Sequence, residues 1–292
     1  ELSRLSCVAS PSLLHADARA IFMRVLGSAA SAAIFAAVGA PRLLKAQSLR
    51  APTARAMSTA QPKVTQDGER RGLITIAPGE DGTPHTATFI GPIHGLGDTN
   101  MGWAQQAMML HQQLPWVKFV LPNAPTSPVT LNGGMAMPSW YDITDLTDRA
   151  GQECAGIDES RAEIIELIEE AKAEGIPASR IVVGGFSQGG AMALFTGLQY
   201  PEALAGVLCM SGYLAKSEGF ELAAAAASTP VLHCHGVVDE VVRIGWARES
   251  VEKLKEMGVK DYTLKEYAYL GHGADMEELD DVSAWLKERL PQ

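Results

Sequence analysis

A serine between two glycines is the residue of this chain best suited to covalent chemistry. Residues 181–194 read IVVGGFSQGGAMAL, so a β-branched run leads to Gly185, Ser187 and Gly189, and small apolar residues follow. This is the G-x-S-x-G pattern of a nucleophile elbow, a strand-to-helix turn too sharp for bulky neighbours. The context predicts that Ser187 is a nucleophile at a helix N-terminus. The alternative is a glycine-rich turn with a capping serine.

A nucleophilic serine needs a base, and the base needs an acid that orients it. In the chain order of serine, acid and histidine that accompanies this elbow, the sequence offers Asp239 and His272. Each follows a predicted strand, at 231–235 and 262–267, and so falls at the edge where open α/β sheets bind ligands. We therefore expect Ser187, Asp239 and His272 to form a catalytic triad.

Other histidines and acids fit these roles less well. His233 and His235 lie inside or at the end of a predicted strand and precede the acid, which indicates structural roles. Asp275 falls at the start of the last predicted helix, where an acidic residue favours the helix dipole. For His272 itself, the alternative is a histidine in a surface turn between two glycines.

Two backbone N–H groups are expected to stabilise the oxyanion that forms during acyl transfer. One belongs to Gln188, directly after the serine. The other belongs to Leu96, in the glycine-rich loop 94–98 that follows the predicted strand 87–93. Glycines let the N–H groups of such a loop point at one spot. His94 and Asp98 are expected to hold the shape of the loop, and the alternative is an ordinary glycine-rich turn.

The segment 122–157 has little periodicity but much Pro, Gly and Met. Loops of this length in compact domains are usually functional. Met135, Met137 and Trp140 would provide an apolar substrate-binding wall that adapts to a flexible acyl chain. The alternative is a surface loop that Trp140 merely anchors.

Outside that segment, strands alternate with helices, which predicts an α/β fold with a mostly parallel, doubly wound sheet. Strands are predicted at 73–76, 87–93, 117–121, 181–185, 206–210, 231–235 and 262–267. Helices are predicted at 103–113, 159–174, 189–199, 246–257 and 276–290. The remaining length leaves no room for a separate cap domain, so we expect an open, shallow site.

Four motifs in order resemble the acyl-protein thioesterase and lysophospholipase family of α/β-hydrolases. They are HGLGD at 94–98, PSWYD at 138–142, GGFSQGGA at 184–191 and CHG at 234–236. The resemblance runs from about Thr75 to the C-terminus. It implies the α/β-hydrolase fold, with Ser187 as nucleophile, Asp239 as acid and His272 as base. It also implies an enzyme that removes fatty acyl groups from protein cysteines and cleaves lysophospholipids and small esters.

Two positions depart from the family pattern. Val237 stands where the family usually has an acidic residue, and the glycines beside His272 differ from the commoner flanking residues. Neither departure touches the triad, but the second leaves the preferred acyl chain open. Two other functions stay open as well. One is a carboxylesterase for small soluble esters, and the other is a catalytically silent binding module of the same fold.

The charge of the chain is divided unevenly. The first 63 residues carry eight Lys or Arg and two Asp or Glu, whereas the whole chain has a net charge of −10, so the remainder carries −16. This acidic balance argues against nucleic acid as a partner. The four cysteines lack paired metal or disulfide spacing, so reduced thiols are expected. We expect no metal and no other cofactor. The expected partners are an S-acylated protein, lysophospholipid or ester substrate and, at most, a peripheral membrane contact.

Residues 1–63 read as a leader before a catalytic domain at 64–292. The stretch is rich in Ala, Ser and Arg, as organellar transit peptides are. Its apolar run at 29–40 is too short to span a membrane, and the alternative for this run is the h-region of a signal peptide. A genuine transit peptide would direct the enzyme to mitochondria or plastids. A translation start at Met57 would instead leave a cytoplasmic enzyme, and the cytoplasm is the expected compartment unless the leader is a genuine transit peptide.

Overall fold

The fold is built on ten strands, and the computed structural model describes residues 61–79, 84–147 and 151–292. The predicted leader lies outside the described residues, apart from 61–63. The strands are β1 Lys63–Asp67, β2 Leu73–Ala77, β3 Ala87–Ile93, β4 Val117–Leu121, β5 Thr126–Val129, β6 Met135–Pro138, β7 Ile181–Phe186, β8 Gly206–Met210, β9 Val231–Gly236 and β10 Tyr262–Tyr267. Eight of them form one sheet in the order β1-β2-β4-β3-β7-β8-β9-β10.

In sheet order the strands from β4 to β10 are parallel, whereas β1 pairs antiparallel with β2 and β2 pairs antiparallel with β4. All residues of β3 and β8 are buried. This is the pattern of parallel strands that helices cover on both faces, and it explains their continuous apolar runs. The predicted doubly wound α/β-hydrolase fold is confirmed, and the seven predicted strands are all present.

Within the described ranges, five α-helices pack against this sheet. They are α1 Ala104–Gln113, α2 Ile157–Ala173, α3 Gln188–Gly197, α4 Ile244–Glu256 and α5 Met276–Arg289. In α2 the buried residues Ile164, Leu167, Ile168 and Ala171 recur at helical spacing and form the face toward the core. Asp275 caps α5 by accepting a hydrogen bond from the N–H of Glu278, 2.9 Å away. Among the described residues, none of the helices is both long and apolar enough to cross a membrane.

Two features were not predicted. The edge strand β1 has five exposed residues, so it shows none of the apolar periodicity that identifies a buried strand. The segment 122–157, which reads as irregular, contains the antiparallel hairpin β5–β6. Gly133 and Gly134 make its turn with φ values of 69° and 80°, a conformation that glycine adopts without strain.

Candidate active site

The elbow between β7 and α3 places Ser187 at the carboxyl edge of the sheet. Its backbone has φ 55° and ψ −119°, a conformation that L-residues rarely adopt. The turn is too tight for neighbouring side chains, because a Cβ on Gly185 would lie 2.4 Å from the Gly189 carbonyl group. A Cβ on Gly189 would lie only 2.0 Å from the carbonyl oxygen of Ile93. The two glycines of the motif are therefore required by the packing of the turn.

The structure brings Ser187, His272 and Asp239 together from three separate loops. Nε2 of His272 lies 2.9 Å from the Ser187 hydroxyl oxygen, and its Nδ1 lies 2.8 Å from Oδ2 of Asp239. Since a carboxylate only accepts, Nδ1 carries the proton and Nε2 is free to accept the proton of the serine. The His272 ring packs against Phe186, with 4.9 Å between the ring centroids. This geometry is suited to nucleophilic acyl transfer.

Asp239 is buried and is held by its own loop. Its Oδ1 accepts hydrogen bonds from the N–H groups of Val241 and Val242, both at 2.8 Å. Oδ2 faces His272 and also lies 3.7 Å from Nε2 of His235. Both carboxylate oxygens thus have partners, as a buried charge requires.

The loop 94–98 lies directly against the nucleophile, because a Cβ on Gly95 would be 3.2 Å from the Cβ of Ser187. Its first residue, His94, is fully buried, and burial lowers the pKa of the imidazole. Nδ1 donates to the Gly95 carbonyl at 2.8 Å, while Nε2 accepts from the N–H of Ala124 at 3.0 Å. A neutral His94 in one tautomer therefore holds the shape of the loop.

Two further contacts join this loop to the segment after β6. The N–H of Gly97 donates to the carbonyl of Pro138 at 2.8 Å. The indole Nε1 of Trp140 donates to the carbonyl of His94, also at 2.8 Å. The hairpin and the loop that carries Leu96 consequently form one hydrogen-bonded unit.

The two expected oxyanion donors belong to the residue after the nucleophile and to the loop that packs against it. Gln188 is the first residue of α3, so its N–H has no acceptor within the helix. Within the described part of the chain, no hydrogen-bond acceptor pairs with the N–H of Leu96. The Gln188 side chain has a separate structural role, because Oε1 accepts from the N–H of Trp140 at 2.9 Å and Nε2 donates to the Tyr141 carbonyl at 2.8 Å. Nothing in the sequence motif indicated that side-chain role.

The three residues expected to form a substrate wall differ in exposure. Met135 is 57% exposed and Met137 is partly buried, so both have surface that a ligand can contact. Trp140 is only 1% exposed, and its ring lies 5.2 Å from the ring of His94. A buried indole cannot present an apolar wall, so the expectation for Trp140 is corrected in favour of its alternative, the anchoring of the loop. The hydrogen bond from the Trp140 Nε1–H to the His94 carbonyl holds the ring in this buried position.

Among the described residues, no cluster of three or more His, Cys, Asp or Glu side chains could hold a metal ion. Cys154, Cys209 and Cys234 are all buried. Burial raises the pKa of the Cys209 and Cys234 thiols, which disfavours thiolate formation. Neither of these two buried thiols is therefore suited to act as a nucleophile.

Known proteins resemble this chain in sequence and in structure. The family model described as phospholipase/carboxylesterase matches residues 76–290. Acyl-protein thioesterase 1 of Neurospora crassa is 45% identical over 221 residues, which cover 71% of this chain and 89% of that protein. Acyl-protein thioesterase 1 homolog 1 of Dictyostelium discoideum is 41% identical over 216 residues, which cover 72% of this chain and 93% of that protein. The crystal structure of Zea mays acyl-protein thioesterase 2 matches with a TM-score of 0.65 and 34% identity, over 75% of this chain and 98% of that one.

Proposed function

Because the chain belongs to the phospholipase/carboxylesterase family of α/β-hydrolases, we propose that it hydrolyses acyl thioesters on S-acylated proteins. Lysophospholipids and other acyl esters are further substrates in this proposal. Ser187 acts as nucleophile, His272 as general base and Asp239 as the acid that orients the base. The N–H groups of Leu96 and Gln188 bind the oxyanion.

Acylation begins when the Ser187 oxygen attacks the carbonyl carbon of the substrate and its proton passes to Nε2 of His272. The carbonyl electron pair moves onto oxygen, and the N–H groups of Leu96 and Gln188 stabilise that charge. Asp239 stabilises the imidazolium through the Nδ1–H bond. The carbon–sulfur bond then breaks, His272 gives its proton to the departing cysteine sulfur, and the acyl group stays on Ser187.

Water completes the cycle on the same groups. His272 takes a proton from water while the water oxygen attacks the carbonyl carbon of the acyl-enzyme. The second oxyanion collapses, the bond to Ser187 breaks, and His272 returns the proton to the serine oxygen. The fatty acid leaves, and the serine hydroxyl and the neutral histidine are restored.

One observation carries this proposal: the continuous hydrogen bonding from the Ser187 hydroxyl through His272 to Asp239, at 2.9 and 2.8 Å. These distances are within the reach that a nucleophile and its base require. The names of the relatives support the choice of an acyl thioester as substrate. The exposed side chain of Met135, next to the partly buried Met137, supports an acyl chain as the group that is recognised.

A direct comparison of three substrates tests the proposal. We expect a palmitoyl-thioester peptide to be cleaved with the highest kcat/KM, a lysophospholipid with a lower one, and a short-chain ester with the lowest. A fluorophosphonate probe should label wild-type protein at Ser187 and leave the Ser187→Ala variant unlabelled. Labelling without any preference for long acyl chains would favour the carboxylesterase for small esters. The absence of both labelling and turnover would refute the proposed function.

The cellular compartment depends on the first 63 residues. Their basic, Ala-rich and Ser-rich composition supports import into mitochondria or plastids. Expression of residues 1–63 fused to a fluorescent protein tests this, with residues 64–292 fused in the same way as a control. Uniform cytoplasmic fluorescence of the first fusion would assign the enzyme to the cytoplasm.

A further inference from the structure

Two histidines of β9 are buried next to the proposed acid. His233 and His235 are fully buried, and because they lie two residues apart on a strand, their side chains leave the same face. Burial lowers the pKa of His235 and brings the pKa of His233 to about 3, so both rings are neutral at physiological pH. A neutral imidazole has one N–H donor and one acceptor nitrogen, and the contacts of each ring decide which is which.

The contacts of the two rings fit one direction of hydrogen bonding, and the Gly212 carbonyl is a further acceptor for the N–H of His233. Nε2 of His235 lies 2.7 Å from the carbonyl oxygen of Val242, so Nε2 carries the proton and Nδ1 accepts. The donor to Nδ1 is Nε2 of His233, 3.3 Å away. Nδ1 of His233 then accepts from the Tyr262 hydroxyl at 2.9 Å. The chain of donors runs from Tyr262 through both histidines and ends at Val242.

The end of this chain of hydrogen bonds holds the loop that carries Asp239. Val242 is fixed at both of its backbone groups, since its N–H donates to Asp239 and its carbonyl accepts from His235. The same Nε2–H of His235 lies 3.7 Å from Oδ2 of Asp239, the oxygen that receives the His272 bond. The partial positive charge of this N–H group therefore stabilises the carboxylate of Asp239, in addition to the hydrogen bond that holds the loop.

We propose that His235 is a positioning residue for Asp239 and that His233 and Tyr262 hold it in the donating tautomer. The inference rests on the proposed role of Asp239 as the acid of the triad. The opposite tautomer would turn a nitrogen lone pair toward the Val242 carbonyl and the carboxylate, and both would be repelled. The acid would then lose the fixed position from which it orients His272, and small displacements of catalytic groups are costly in rate.

The test compares His235→Leu with His235→Gln, because a glutamine N–H can still donate to the Val242 carbonyl and a leucine cannot. The readouts are kcat and KM for a soluble p-nitrophenyl ester, and the low-field proton NMR signal of the His272 Nδ1–H. We expect His235→Leu to lower kcat at least about tenfold with unchanged KM, and to broaden or remove the signal. We expect His235→Gln to restore most of kcat and the signal.

His111→Leu is the matched control, because His111 is also buried and also bonds one backbone carbonyl, that of Val117, but on α1. It should lower stability and leave kcat unchanged. Wild-type kcat and signal in His235→Leu would overturn the proposal, and so would equal losses in the leucine and glutamine variants.

Tyr262→Phe tests the chain of hydrogen bonds without removing a histidine. We expect the low-field signal to move and kcat to fall, because His233 loses the donor that sets its tautomer; an unchanged signal would overturn the role of Tyr262. If His235→Leu fails to fold, the glutamine and Tyr262→Phe variants still decide. Failure of the proposed function is recognised separately, as wild-type protein that neither turns over esters nor reacts with a fluorophosphonate at Ser187.

Discussion

Ser187 combines a rarely populated backbone conformation with a hydroxyl that is hydrogen-bonded to the base. We predict that Ser187→Ala lowers kcat by several orders of magnitude, because the members of a triad act as a unit. Removing one hydroxyl should change the free energy of unfolding by no more than about 1 kcal/mol. Ester turnover and urea denaturation measure the two effects. Ser228→Ala, at an exposed turn, is the control and should keep full activity.

Glu278 is a buried acid in the first turn of α5, and neither of its carboxylate oxygens has a hydrogen-bond partner within the described residues. Burial, together with the nearby charges of Asp275, Asp281 and Asp239, raises its pKa from 4.5 to about 8. The folded state therefore retains a proton that the unfolded chain has lost between these pH values. Stability should fall as the pH rises through this window, by about 1.4 kcal/mol per unit at most.

Glu278→Gln removes that titration and should stabilise the protein at pH 7 by a few kcal/mol, with almost no effect at pH 4.5 or below. Urea denaturation at pH 5, 6, 7 and 8 measures the difference. The control is Glu277→Gln, an exposed neighbour in the same turn, which should leave the pH dependence as it is. If the free energies of unfolding of wild type and Glu278→Gln changed in parallel with pH, the pKa of Glu278 would not be raised by folding.

The limits of sequence reasoning are clearest for single residues. The order of serine, acid and histidine was enough to predict which three side chains meet, because each falls just after a strand in a parallel sheet. The Gln188 side chain, the burial of Trp140 and the contact between His235 and Asp239 were not predicted. They depend on contacts between residues distant in sequence or on loop conformation, and a spacing pattern contains neither.

Among the secondary-structure elements, the contact between α3 and the loop after β3 tolerates the least change. Gly189→Ala would place a Cβ 2.0 Å from the Ile93 carbonyl oxygen, so either the elbow or β3 must move. We predict a loss of about 3 kcal/mol or more in the free energy of unfolding and a large loss of kcat. The matched control is Gly245→Ala in α4, where a Cβ meets nothing within 4 Å. That helical position should gain up to about 1 kcal/mol.

The hydrogen bond from Trp140 to the His94 carbonyl links the hairpin segment to the loop of Leu96. Trp140→Phe removes the donor and leaves a buried carbonyl unpaired, which should cost about 1–3 kcal/mol of stability. Because this loop carries the proposed oxyanion donor Leu96, which every substrate uses, kcat/KM should fall by the same factor for acetyl and octanoyl esters.

Met135→Ala should instead reduce only the kcat/KM for the octanoyl ester, since each buried methylene contributes about 0.8 kcal/mol. A selective octanoyl loss in Trp140→Phe would restore Trp140 to the substrate wall.

Strands were predicted correctly where burial leaves an apolar pattern in the sequence, and they were missed where it does not. The central strands β3, β7 and β8 are buried on both faces, so their apolar runs and flanking turns identify them. The hairpin β5–β6 has mostly exposed or partly buried residues and a proline in each strand. Proline is depleted in strands, and the resulting sequence is typical of a loop.

At the scale of the whole molecule, the family match begins at residue 76, and the sheet begins earlier, with β1 at Lys63. The strand β1 pairs with β2 over five residues and occupies one edge of the sheet. The site lies on loops after β3, β7, β9 and β10, which are separated from β1 by two other strands. The strand that covers this edge should therefore matter for stability and little for catalysis.

Two truncations separate the leader from the edge strand. Deletion of residues 1–61 should leave the melting temperature and kcat unchanged, because a basic Ala-rich and Ser-rich stretch offers few large apolar groups to a core. Deletion of residues 1–68 also removes β1 and leaves β2 as an unpaired edge, so the melting temperature should fall by several degrees and the tendency to aggregate should rise. Its kcat should stay near the wild-type value at low temperature. Calorimetry and ester turnover on the three proteins measure this, and a lower melting temperature after the shorter deletion would show that the leader contributes to the folded domain.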